Sequence, residues 1–159
     1  MSATNCPDDR ICGTHFTNRW LVDTLVTALQ LPKGSFEVSS ARKIAVGQGF
    51  MSHVISVKFL KFVKNTDVVR KLPDSVILKV PTGEFIAQGA ELMDFSDSCM
   101  TKEEYTRLAI TKFIPNFHLN EYNFYNLFRD TKLIHVPEFY FGETTPDVSQ
   151  QTNACIIMQ

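Results

Sequence analysis

A chain of 159 residues is about one ordinary domain, and a hydrophobic share of 44% is enough to build a core. The formal net charge of -1 argues against nucleic-acid binding driven by bulk charge, and no basic run or aromatic–basic interleaving supports it. No apolar run approaches the ~20 residues a membrane helix requires, and Cys6, Cys12, Cys99 and Cys155 form no CxxC pair and no zinc spacing with the histidines.

The N-terminus begins polar, without a charged-then-apolar leader, so the expectation is a cytoplasmic chain with reduced thiols. Met1 to Gly13 reads as a flexible arm, and residues 14–159 as one domain. Thr17 or Asn18 caps a first helix that runs to about Gln30, with Trp20, Leu21, Thr24, Leu25, Ala28 and Leu29 on one stripe. Trp20 is expected to pack in that stripe, not to meet a ligand. Leu31-Pro32-Lys33-Gly34 ends the helix.

Ser35 to Val46 reads as a first strand, His53 to about Val63 as a second, and Ser75 to Val80 as a third. A short glycine turn, Gly47-Gln48-Gly49-Phe50-Met51-Ser52, joins the first two. Glu84 to Met100 has no clean period and reads as a loop, with helix around Ala87 to Met93. Thr101-Lys102-Glu103-Glu104 is a capping box opening a helix to about Phe113, where Pro115 is expected to break it.

A further helix fits His118 to Arg129, with Phe117, Glu121, Phe124, Tyr125 and Phe128 on one face. Glu121 is the odd member, because burying an unpaired carboxylate is expensive. It is expected either to meet a cation, for which Lys79 is the candidate, or to sit at the stripe's edge in water. Leu133 to Gly142 reads as a fourth strand, with Pro137 hinting at an edge or bulge, and Ala154 to Met158 as an apolar fifth.

The order strand, glycine turn, strand, loop, strand with a lysine is the one from which a protein kinase builds its phosphate cover. Two other glycine-loop schemes fail. A dinucleotide-binding turn opens directly into a helix, whereas Val54 to Val63 alternates as a strand does. A Walker loop ends in Gly-Lys-Ser/Thr, and no such triplet lies near the turn. By itself the turn is no more than a hairpin in an antiparallel sheet; Lys79, set in the apolar run Leu78-Lys79-Val80, gives it weight.

Three segments in this order resemble the CHK kinase-like family, which includes the ecdysteroid kinase-like enzymes and is related to choline and aminoglycoside kinases. They are Val46-Gly47-Gln48-Gly49-Phe50-Met51-Ser52, the run Leu72 to Thr82 containing Lys79, and Asn120-Glu121-Tyr122-Asn123-Phe124-Tyr125. The resemblance runs from about Trp20 to Gln159. It implies an α+β fold: a protein-kinase-like N-terminal lobe with an about five-stranded antiparallel sheet and flanking helices.

It also implies ATP as cofactor. Gly47, Gln48, Gly49, Phe50, Met51 and Ser52 would form the loop over the nucleotide, Lys79 would hold its phosphates and Glu121 would hold Lys79. Met158 and Gln159 would enter the hinge that meets the adenine edge. Ser52 stands where protein kinases carry a third glycine. The resemblance places a catalytic aspartate, an asparagine and a metal-binding aspartate beyond the hinge, and none has room before Gln159. No histidine is followed by Gly-Asp or Arg-Asp, and Asp94-Phe95-Ser96 precedes the Glu121 helix, so it reads as coincidence.

The expectation is therefore an ATP-binding lobe with weak or vestigial nucleotide binding, not catalytic alone, with magnesium only if a catalytic lobe is supplied. An alternative is a non-catalytic, kinase-derived module that binds a protein partner or self-associates through an uncovered cleft face. A third scheme, an unrelated α+β ligand-binding domain with motifs aligned by chance, predicts Lys79 far from Glu121.

Overall fold

The structure, a computed structural model, describes residues 9–44, 51–62, 70–96, 99–131, 134–149 and 153–159. Its centre is a single sheet of five strands: β1 (Phe36–Ile44), β2 (Ser52–Lys61), β3 (Ser75–Pro81), β4 (Phe139–Glu143) and β5 (Cys155–Met158), in the order β1-β2-β3-β5-β4. Every pairing is antiparallel. With its flanking helices this is an α+β fold consistent with a kinase-like N-terminal lobe.

Side chains alternate across a strand, so each strand sends one row to each face. Ile55 and Val57 of β2, Val76, Leu78 and Val80 of β3, and Cys155 and Ile157 of β5 all enter one core. Helix α1 (Asn18–Leu29) covers it, contributing Leu21, Leu25 and Val26. Leu21, Leu25, Ile55 and Leu78 are completely buried, each contributing about 1.5–3 kcal/mol of transfer free energy. Thr17 caps α1, its hydroxyl accepting from the Trp20 N–H at 3.0 Å. At the other end Gln30 takes the left-handed conformation, φ 54°.

Of the expected arm from Met1 to Gly13, residues 1–8 lie outside the described residues. Ile11 is buried in the α1 core, within a 3-10 turn over Ile11–Gly13, and its N–H reaches the Phe16 carbonyl at 2.8 Å. One apolar residue with a core to enter outweighs the polar run around it.

The opposite face carries α4 (Ile114–Phe128), which packs on β3 and β4; α2 (Ile86–Glu91) and α3 (Lys102–Leu108) pack on each other and lead into it through the turn that precedes α4. The capping box of α3 forms in both directions: the Glu104 N–H donates to the Thr101 hydroxyl, and the Thr101 N–H to the Glu104 carboxylate. The expected break at Pro115 does not occur. Between α3 and α4 the chain takes a wide π turn, Ala109–Phe113, and the Ile114 N–H reaches back five residues to the Ala109 carbonyl. Proline lacks an N–H and its ring crowds the carbonyl four residues earlier; widening the preceding turn removes both conflicts, so the helix continues.

The aromatic face expected of α4 is also corrected. Ile114, Pro115 and His118 are buried and Glu121, Tyr122 and Tyr125 partly so, whereas Phe117 and Phe124 are 56% and 43% exposed. The polar residues set the facing, because Glu121 and His118 find partners on the sheet. The fourth strand is shorter than expected: β4 starts at Phe139, beyond Pro137, and Leu133 lies outside the described residues.

Candidate functional site

On β3 the core takes Val76, Leu78 and Val80, so Lys79 points to the other face, toward α4. There its ammonium bonds the Glu121 carboxylate, and the two side chains retain 21% and 28% exposure. The third scheme above required these residues far apart, and that requirement fails. The pair is half-dry. Water still reaches it, and the ammonium has three N–H donors, so a second anion can be met without giving up Glu121.

Apolar side chains surround Lys79 on the same face. Val54 lies directly opposite on β2 and Ile156 directly opposite on β5; one row along, Ile77 pairs with Met158. Of these Ile156 and Met158 are buried, and Val54 and Ile77 partly exposed. A cation therefore stands beside a partly open apolar floor.

Two structural details position α4. Tyr125 stacks on Phe139 of β4, with centroids 6.3 Å apart and planes at 3°. Tyr122 lies over Gly142, where a Cβ atom would come within 2.7 Å of the tyrosine ring. Glycine thus lets the helix close on the sheet. One turn before Glu121, the His118 Nε2–H donates to the Glu143 carbonyl at 2.8 Å. Burial holds its imidazole pKa below the ordinary histidine value, against the opposing pull of that bond and of Glu121.

Of the expected loop residues, Gly47, Gln48, Gly49 and Phe50 lie outside the described residues. Met51 and Ser52 mark the loop's end: the Thr82 N–H donates to the Met51 carbonyl at 2.9 Å, and Ser52 opens β2 opposite Pro81. His53 faces the core side, where its Nε2–H donates to Glu84 at 2.9 Å; burial lowers its pKa as well. Asp94 accepts from the Ser96 N–H in an exposed turn, away from Lys79's strand.

Met158 lies on the Lys79 face at the end of β5. Gln159 follows it, but its N–H already donates to the Glu138 carbonyl at 2.9 Å. An open hollow of about 380 Å³ adjoins this point, lined by His135, Val136, Pro137, Glu138 and Gln159. The sequence reads 135–138 as part of the fourth strand and not as site residues, since only their place in the fold brings them beside Gln159. His118 was not anticipated either; its three-residue spacing from Glu121 was the available signal.

Among the described residues, no cluster of three or more His, Cys, Asp or Glu side chains is placed to hold a metal ion, and no helix is long and apolar enough to cross a membrane. Cys12, Cys99 and Cys155 are free thiols, and burial pushes the Cys155 thiol up to about 12.

No curated protein matches the chain, and no solved structure does. A family model, DUF1679, matches residues 9–159, which is nearly all of it. The chain belongs to that family, whose description is "Uncharacterized oxidoreductase dhs-27" and which is related to the ecdysteroid and choline kinase-like group.

Proposed function

We propose that this chain is the ATP-binding lobe of a small-molecule kinase-like (CHK-type) phosphotransferase. The observation that carries the proposal is the Lys79–Glu121 pair on the apolar side of an antiparallel sheet. A lysine directed by a helix carboxylate is the arrangement that presents a fixed positive charge to nucleotide phosphates. The floor of Val54, Ile77 and Met158 suits a purine face. At the end of β5 the Gln159 N–H is committed to the Glu138 carbonyl, so Gln159 would meet a purine amino group as an acceptor. Gly47 to Ser52 would close over the phosphates, their small residues allowing backbone amides to approach.

The family description carries the word oxidoreductase. Hydride transfer from a dinucleotide uses a crevice at the carboxyl ends of parallel strands. Here each of the described strand pairings is antiparallel, and the chain after Met51 is the strand β2, not a helix. The described architecture therefore favours the phosphate-holding scheme.

Phosphoryl transfer also needs a positioned base and metal ligands. The 159 residues alone are expected to bind nucleotide weakly, without turnover. Calorimetry with ATP and magnesium tests both parts. Saturable binding that weakens about ten-fold in Lys79→Met supports the proposal. Equal binding by that variant, or none at roughly millimolar ATP, overturns it; robust turnover with any acceptor overturns the non-catalytic part.

A second reading, a kinase-derived interaction module, has one observation of its own. Phe113, Phe117, Phe124 and Leu127 all stand 42% or more exposed along the outer side of α4 and the π turn.

A further inference from the structure

A hollow of about 710 Å³ lies between α1 and β4 on the face of the sheet away from Lys79. One wall is formed by Trp20, Thr24, Thr27 and Ala28 of α1, the other by Tyr140 and Phe141 of β4. The aromatic part is held firm. Trp20 packs on Phe16 with centroids 4.2 Å apart and meets Phe141 edge-on at 6.1 Å. The Tyr140 hydroxyl is tied to Glu138 and Gln159. Thr27 and Ala28 are exposed and leave the groove open along the helix.

What distinguishes this groove is the strand beside it. β4 ends the sheet, and no described strand pairs with its outer side. The pairing with β5 shifts register between Phe139 and Phe141, and on either side of that irregularity antiparallel pairing leaves alternate residues of β4 with N–H and C=O groups pointing away from β5. Such an edge is a template for another extended backbone. An extended ligand bonds the edge with its main chain and sends alternate side chains into the neighbouring groove. A helix or a small planar molecule would fill the groove and leave the edge unmet.

Charge selects between two extended occupants. Glu138 stands just before β4 and Glu143 at its end, both exposed, and Asp23 lines the groove from α1. Opposing them, Arg19 sits 3.8 Å from Asp23. The border is therefore acidic. A second copy of β4 would bring Glu138 and Glu143 against their own kind, which disfavours pairing. A strand with lysine or arginine at alternate positions meets opposite charge instead. We infer that the α1–β4 groove docks an extended, basic segment of a partner protein, taken up as an added strand on β4.

The test is amide-resolved NMR on the whole 159-residue chain, titrated with an alternating Lys–Val peptide of about nine residues. Two controls are its Glu–Val counterpart and a Lys–Val peptide N-methylated on one edge. The expected result is shifts confined to residues 19–28 and 138–143, with slowed hydrogen exchange along β4. Both controls bind at least about ten-fold more weakly. Ala28→Arg, at an exposed helix position, fills the groove with the peptide's own charge; it abolishes binding while the melting temperature stays put. No shifts at roughly millimolar peptide overturn the inference. So do shifts centred on Lys79, equal binding of the acidic peptide, or concentration-dependent pairing of β4 with itself in the absence of peptide.

Discussion

A lysine among apolar neighbours must keep either water or an anion, and Lys79 keeps some of each. Because both members of its pair are over a fifth exposed, screening limits the pair's worth to folding to about 1 kcal/mol. Its effect on a bound phosphate is larger, since Glu121 fixes where the charge points. Glu121→Gln should therefore weaken ATP several-fold in wild type and not at all once Lys79 is Met. Calorimetry on the four members of this double-mutant cycle checks it; additive losses would show that Glu121 acts by some route other than the lysine. The pair was legible in sequence because each member is anomalous alone, a carboxylate in an aromatic helix and a lysine in an apolar strand. His118 was not, because its partner is a backbone carbonyl 25 residues away, and carbonyls leave no mark on a sequence. His118 nonetheless governs a pH effect. Its folded pKa, like that of His53, lies below the unfolded value near 6.5. The unfolded chain thus binds more protons between the two values, and stability must fall as pH drops below about 6.5. Urea midpoints at pH 7 and pH 5.5 should show the loss, smaller in His118→Gln. An unchanged midpoint between the two would contradict the assignment.

At the scale of elements, the site depends on how closely α4 approaches the sheet, and Gly142 sets that distance. A methyl group there would stand 2.7 Å from Tyr122 and 3.1 Å from Phe139, so Gly142→Ala must displace one ring or the helix. The expected cost is about 1–3 kcal/mol of stability. Tyr122 neighbours Glu121, so ATP affinity should fall as well. Thr101→Ala supplies the contrast: it removes one half of the α3 capping box at a cost of about 1 kcal/mol, far from Lys79's strand, and should leave ATP affinity alone. Parallel denaturation and calorimetry separate the two, and a Gly142→Ala protein with wild-type affinity would break the link between helix seating and the site. Elements with a local cause were readable in advance, namely the Thr17 cap, the capping box and the alternating strands. The run from α3 into α4 was not, since a proline that ends most helices is accommodated here by a wide turn five residues long. The facing of α4 was misjudged for a related reason. Aromatic residues occupy more than one side of that helix, and the deciding contacts, Glu121 to Lys79 and His118 to Glu143, come from strands distant in the chain.

At the scale of the molecule, α4 is wetted on the side that composition alone would bury. Phe117, Phe124 and Leu127 are 56%, 43% and 73% exposed, and Phe113 on the π turn adds 42%. With a net charge of only -1, long-range repulsion between copies is weak. Contiguous apolar surface without charge to keep copies apart favours association, and the dominant contribution comes from the most exposed side chains. Sedimentation velocity over a wide concentration range should therefore show reversible self-association that weakens in 1 M urea. Phe117→Lys with Leu127→Lys should remove most of it. Both positions point to water, so the double variant should keep its ATP affinity and its melting temperature. Because the stripe lies on α4 and the peptide groove lies between α1 and β4, the two surfaces can be distinguished in one protein. Association lost on altering α4 leaves the groove untouched, whereas association that survives the double variant would assign the sticky surface elsewhere and remove the chief support for the interaction-module reading.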